Sequence, residues 1–276
     1  MTIPTIDLND GNTIPQFGLG VFLMPPEVTK QHVLTALELG YRHIDTAAIY
    51  GNEQAVGEAI AESGVPRDEL FVTTKLWNDR QTDAPAALHE SLEKLGLDHV
   101  DLYLIHWPTP KFDTYVEAWL ALEQLKGEGL ARSIGVSNFH QQHLSRAIAE
   151  SSTVPAVNQI EVHPSLPQFE LVEFCQNLDV AVEAWSPLGR TADLDAPAVV
   201  QIASNLVPLF PSEAVGPGAR WSLRDLMFSL RERRGEVFVV ERRGGLHGPT
   251  PMEDGKVVMV SEEQVYRIDA VASGVA

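Results

Sequence analysis

The chain has one cysteine, Cys175, in 276 residues, so no internal disulfide can form, which fits a reducing compartment. It has no run of about 18 apolar residues. Its opening, MTIPTIDLNDG, lacks both a basic segment and an apolar core, so neither membrane insertion nor secretion is supported and a cytoplasmic protein is expected. Positive charge is scarce. The 20 Lys and Arg residues against 38 Asp and Glu give a net charge of −18, a field that repels DNA, RNA and anionic lipid. The same field opposes an anionic cofactor unless cations gather locally, and seven of the 20 basic residues do fall between 220 and 243. There is no low-complexity tract.

What is present is a rhythm. Short β-branched apolar runs, FGLGVF, HIDTA, LFVTTKL, VDLYLIH, SIGVSN, AVNQIEV and VAVEAWSP, alternate with stretches of helical spacing such as EQAVGEAIAESG and APAALHESLEKLG. Gly40, Gly64, Gly96 and Gly129 each follow such a stretch, where a helix stop is expected. Strand then helix, repeated, argues for an all-parallel α/β fold. A doubly wound sheet would carry a glycine-rich phosphate loop after its first strand, but GLGVF lacks the third glycine and the helix that should follow. The expectation is therefore a (β/α)8 barrel, a single domain over 1–276, for which about 250 residues is the usual size. TIDLNDGNTIP, with its NDG turn, predicts a small N-terminal β-hairpin closing one end.

Parallel barrels present chemistry where strands hand over to the following loops, all on one face. At that point the sequence sets Asp45, Lys75, His106, Asn138, Gln159 and Trp185, spaced by 30, 31, 32, 21 and 26 residues. Singly, each reads blandly: Asp45 as a helix cap or ion-pair partner, Lys75 as a strand emerging into water, His106 as a core histidine, Tyr50 as a rim aromatic. Jointly they read as a site. A tyrosine hydroxyl, with a pKa near 10 in water, is a poor proton donor at neutral pH unless a cation stands beside it. An ammonium about 4 Å away, at an effective dielectric near 20, favours phenolate by roughly 4 kcal/mol. Tyr50 beside Lys75, with Asp45 fixing the lysine and a neutral His106 holding a carbonyl oxygen, would protonate an oxygen gaining negative charge. Phe22, Trp77 and Trp107 follow the first, third and fourth strands and would wall a partly apolar pocket, although each alone reads more readily as core. His140 and His143 have metal-like spacing, but no third ligand is evident and a solvated helix face is the better reading; no metal is expected.

GYRHIDTAAIYGNE, FVTTKLW, VDLYLIHWP, RSIGVSNF, PAVNQIEVHP and EAWSPLG together resemble the aldo-keto reductase superfamily, most closely its bacterial 2,5-diketo-gluconic acid reductase branch. The resemblance covers residues 1 to about 200. It implies a barrel that reduces an aldehyde or ketone with NADPH, NADH being the alternative. Asp45, Tyr50, Lys75 and His106 would form the catalytic tetrad with Tyr50 as general acid. Ser137, Asn138 and Gln159 would bond the nicotinamide carboxamide, Trp185 would stack on its ring, and Ser186, Leu188 and Gly189 would lie along the pyrophosphate. A small carbonyl compound is the implied partner and a monomer the implied state.

After about residue 203 the family pattern lapses. Where an eighth strand with a lysine and arginines is expected, the nearest run is EVFVVERRGG, with Glu241 in place of lysine; family-like sequence resumes at SEEQVYRIDAVASG, helical in spacing from Glu262 to Ala272. Three readings of 204–260 stand open: Arg242 and Arg243 grip the cofactor's 2′-phosphate by another geometry; a displaced reading frame spoils the eighth strand; or the barrel has become a nonenzymatic nucleotide-binding module.

Overall fold

Alternation within the short apolar runs decides what each strand offers to the two sides of the sheet. The computed structural model describes residues 3–191, residue 197 and the strand segments 240–241, 245–246 and 257–261. An antiparallel hairpin, Thr5–Asp7 (β1) and Thr13–Pro15 (β2), comes first, with Ile6 opposite Ile14 and Gly11 turning the chain at φ 84°. Seven parallel strands follow: Phe17–Gly20 (β3), His43–Asp45 (β4), Phe71–Leu76 (β5), Val100–Ile105 (β6), Ala131–Ser137 (β7), Val157–Glu161 (β8) and Ala181–Trp185 (β9). Between them run the helices Pro26–Glu38 (α1), Glu53–Ser63 (α2), Ala84–Leu95 (α3), Tyr115–Gly127 (α4), Gln141–Ala149 (α5) and Phe169–Asn177 (α6).

The eighth stave is not where the sequence pattern places it. Among the described residues Val240–Glu241 (β10) and Gly245–Leu246 (β11) pair with each other, whereas Val257–Ser261 (β12) runs parallel to both β3 and β9 and closes the barrel. The eighth position in the barrel belongs to VVMVS, and the described residues of EVFVVERRGG, 240–241 and 245, lie outside it. The correction has a physical cause: membership of a barrel is decided by long-range pairing, Met259 against Phe17 and Ala184, which a local search for lysine and arginine does not sense. Arg242 and Arg243 lie outside the described residues, as does the helix expected over 262–272.

In β5 the alternation is explicit. Val72 and Leu76 belong to the large apolar cluster shared with the helices, while Phe71 joins Ile6, Leu8, Ile14, Leu102, Leu104, Val157 and Ala181 in a second cluster that floors the barrel on the hairpin. Lys75, two and four residues on from Thr73 and Phe71, shares the inner face with them. The helices are held from outside: α3 begins with proline in its first turn, buries Ala84, Ala87, Leu88, Ser91, Leu92 and Leu95, and stops at Gly96 with φ 64°. Truncating the fully buried Leu88 to alanine would cost about 2–5 kcal/mol. Gly18 is needed for another reason, since a Cβ there would stand 2.6 Å from the His43 ring. Among the described residues no helix is long and apolar enough to cross a membrane.

Candidate active site

Strand parity sets His43 and Asp45 on β4, Thr73 and Lys75 on β5, Gln159 on β8 and Glu183 and Trp185 on β9 toward one another, and all but Trp185 are buried. Lys75 is wholly buried. Its Nζ donates to Asp45 Oδ1 at 2.6 Å and to the Thr46 carbonyl at 2.9 Å, and lies 3.5 Å from Tyr50 Oη. Burial works most strongly against the lysine charge, yet Asp45, Tyr50 and Glu183 together outweigh burial and the ammonium is held above its ordinary range. Asp45 is itself oriented by Gln159, whose Nε2 donates to Oδ2 at 2.8 Å.

Tyr50 reaches this cluster from a short 3-10 turn, Ala48–Tyr50, that ends at Gly51 with φ 71°. It keeps partial exposure, so its hydroxyl spans the buried cation and the open mouth. Phe22 packs on it at 4.9 Å between ring centroids, and His106 meets it edge-on at 5.7 Å. Trp77 also meets His106 edge-on, at 5.0 Å. Burial, then the Lys75 charge, pushes the His106 imidazole down to about 3, so the ring is neutral at physiological pH and one of its nitrogens bears a hydrogen to donate. Trp107 is 41% exposed on the rim. Phe22, Trp77 and Trp107 are thus rim and mouth residues and not core.

The amide-bearing residues meet as well. Trp185 Nε1 donates to Asn138 Oδ1 at 3.0 Å, Asn138 Nδ2 donates to the His106 carbonyl and to Ser137 Oγ at 3.0 Å each, and Ser137 Oγ donates to the Gln159 carbonyl at 2.9 Å. This chain ties β7, β8 and β9 to the residue after β6. Beyond Trp185 the backbone turns tightly: Ser186 has φ 46°, Gly189 φ 56°, and the Gly189 amide donates to the Ser186 carbonyl at 2.9 Å, with Leu188 buried inside the turn. His140 and His143 form a helix cap, the His140 amide donating to His143 Nδ1 at 3.2 Å.

Three residues in or beside the cluster were not singled out by the sequence reading. His43 is fully buried, bonded through Nε2 to Thr73 Oγ1 at 3.0 Å, and pushed down to about 3 by burial and by Lys75. Glu183 is fully buried 3.9 Å from His43; burial, then the charge of Asp45, raises its carboxyl well above the ordinary range. An acid in the middle of the buried run AVEAW was the available signal. The third, Asn52, looks like an ordinary helix cap in sequence.

This arrangement can lend a proton to an oxygen placed between Tyr50 and His106, beside a set of amides and an indole suited to a carboxamide and a flat ring. The chain as a whole resembles known proteins. A model described as the aldo/keto reductase family matches residues 16–194. An aldo-keto reductase of Mycolicibacterium smegmatis is 54% identical over 202 residues, 72% of this chain and 74% of its own. Methylglyoxal reductase DkgA of Yersinia pestis is 56% identical over 187 residues, 68% of each chain. Among solved structures, an aldo/keto reductase from Brucella melitensis superposes with a TM-score of 0.74 at 42% identity, covering 94% of this chain and 88% of its own. A Bombyx mori aldo-keto reductase in complex with NADP gives a TM-score of 0.70 at 44% identity, over 75% and 77%.

Proposed function

The chain belongs to the aldo/keto reductase family, and from that premise we propose that it is an NADPH-dependent reductase of small aldehydes and ketones, with Tyr50 as general acid. The observation that carries the reading is the run Asp45, Lys75, Tyr50, in which a buried ammonium 2.6 Å from its carboxylate stands 3.5 Å from a phenol open to the mouth. Lys75 favours the phenolate that remains once Tyr50 has given up its proton. Asp45 and the Thr46 carbonyl hold the lysine still, and Gln159 holds Asp45. Neutral His106 donates to the substrate oxygen and orients it toward Tyr50. The nicotinamide, when bound, supplies the hydride.

The donor set fits such a group: Asn138 and Gln159 offer side-chain amides, Ser137 a hydroxyl and Trp185 an anchored indole face, and the Ser186–Gly189 turn offers backbone to a pyrophosphate at a strand end. The family neighbour from Bombyx mori is described in complex with NADP, which supports the same choice here. A grip on the 2′-phosphate by Arg242 and Arg243 remains a proposal on residues outside the described ones, as does a single domain over 1–276.

For substrate we favour compact dicarbonyls and diketo sugar acids. The likeness to a protein named methylglyoxal reductase supports the first, and the motif likeness to the 2,5-diketo-gluconic acid reductase branch the second. Phe22, Trp77 and Trp107 would form the apolar wall. The test is NADPH and NADH consumption, side by side, with methylglyoxal and with 2,5-diketo-gluconate. The reading expects faster consumption of NADPH with at least one of them. Measurable NADPH binding without turnover on any carbonyl would point to a nucleotide-binding barrel instead.

A further inference from the structure

Asn52 stands one residue before α2, the place where an asparagine side chain ordinarily caps the helix. Here it makes no cap bond to the helix. The side chain is turned away and fully committed elsewhere: Nδ2 donates to the carbonyls of Val21 at 2.8 Å and Met24 at 3.0 Å, and Oδ1 accepts from Thr46 Oγ1 at 2.8 Å. Asn52 is 1% exposed, and Thr46 is wholly buried. The two carbonyls bracket the turn that carries Phe22 and Leu23. The turn also closes on its own Met24 N–H to Val21 carbonyl bond at 3.2 Å, and the Met24 carbonyl accepts from Thr29 Oγ1 at 3.1 Å, while at its tip Leu23 is 73% exposed and adopts φ 61°, a left-handed conformation uncommon for leucine. Thr46, at the other end of the clasp, offers its backbone carbonyl to Lys75.

We infer that Asn52 is a positioning residue for the reductase: by clasping the Val21–Met24 turn to Thr46 it sets the distance between the apolar wall at Phe22 and the proton donor at Tyr50. The chemistry of the clasp supports this. One amide supplies two donors to a turn and one acceptor to a hydroxyl, a combination that no acid and no aliphatic side chain reproduces. The consequence is substrate choice. A carbonyl compound with a flat apolar body needs Phe22 at its observed 4.9 Å from Tyr50, whereas a compact dicarbonyl can reach Tyr50 and His106 without it.

The inference rests on the reductase reading, so its test has a part that does not need turnover. Asn52→Asp keeps the acceptor for Thr46 and loses both donors to the turn. With fluorinated phenylalanine incorporated, the 19F resonance of Phe22, assigned through Phe22→Leu, should move towards its solvent-exposed value in N52D. In kinetics, KM for an aromatic aldehyde should rise about tenfold or more, kcat should change less, and methylglyoxal should be affected least. In the Phe22→Ala background N52D should add little further, because the effect passes through Phe22. An unmoved 19F resonance, or an equal N52D penalty with and without Phe22, overturns the inference. A wild type that oxidises no NADPH while the resonance still moves would instead sink the reductase reading and leave the clasp standing. If N52D does not fold, Asn52→Ser, which keeps a single hydroxyl donor, is judged by the same outcomes.

Discussion

Asp45 and Lys75 form an ion pair at 2.6 Å inside the barrel, the lysine wholly out of water and the aspartate nearly so. Such a pair is costly to break from one side, because the survivor becomes an uncompensated buried charge. Asp45→Asn should therefore lower stability by about 3–5 kcal/mol. For a chain of this size that is on the order of 10 °C in Tm, which calorimetry reads directly. A change of a degree or less would mean that Lys75 does not depend on Asp45.

His106 is neutral in the fold because burial and Lys75 hold its pKa at about 3. The pH profile of kcat/KM for carbonyl reduction should then show no limb near 6.5, the ordinary histidine value. A limb there that disappears in His106→Asn would show that the ring carries a proton in the working enzyme.

The same depressed value has a stability consequence. The unfolded chain protonates His43 and His106 below about 6.5, while the fold keeps both neutral down to about 3. Stability is thus lost as pH falls through that window, by about 2 kcal/mol for each histidine at pH 5. Tm measured between pH 7 and pH 5 should fall. A flat curve with an intact fold would contradict the assignment.

Glu183 works with the opposite sign. Its folded pKa is raised, so holding a proton in the fold becomes more costly as pH rises above its unfolded value. Glu183→Gln removes that dependence. The difference in unfolding free energy between variant and parent should therefore shift in the variant's favour as pH rises above about 4.5, at up to about 1.4 kcal/mol per pH unit. A difference that stays constant would place a charged carboxylate at residue 183.

Much of this was legible in the sequence because barrels convert one-dimensional spacing into a ring. The period of about one βα unit set Asp45, Lys75 and His106 at successive strand ends, and the parity within HIDTA and LFVTTKL already turned Asp45 and Lys75 to the same side. The hairpin followed from one NDG turn. What stayed hidden were groups whose roles depend on contacts across the barrel. Glu183 and His43 look like ordinary polar interruptions of strands. Asn52 looks like a cap, and only the backbone carbonyls of Val21 and Met24 reveal its use. Arginines after an apolar run point to EVFVVERRGG as the nearest match to an eighth strand, while the β-branched run VVMVS that pairs with β3 and β9 ends on Ser261, the first residue of the resumed family pattern.

The account turns on whether Tyr50 donates the proton. The direct measurement is NADPH oxidation in the presence of methylglyoxal by the parent and by Tyr50→Phe, with NADPH affinity followed by fluorescence quenching in both. The prediction is a loss of turnover of about 100-fold to 10,000-fold with affinity unchanged, the range expected for removing a general acid. Turnover in Y50F equal to the parent's would contradict it.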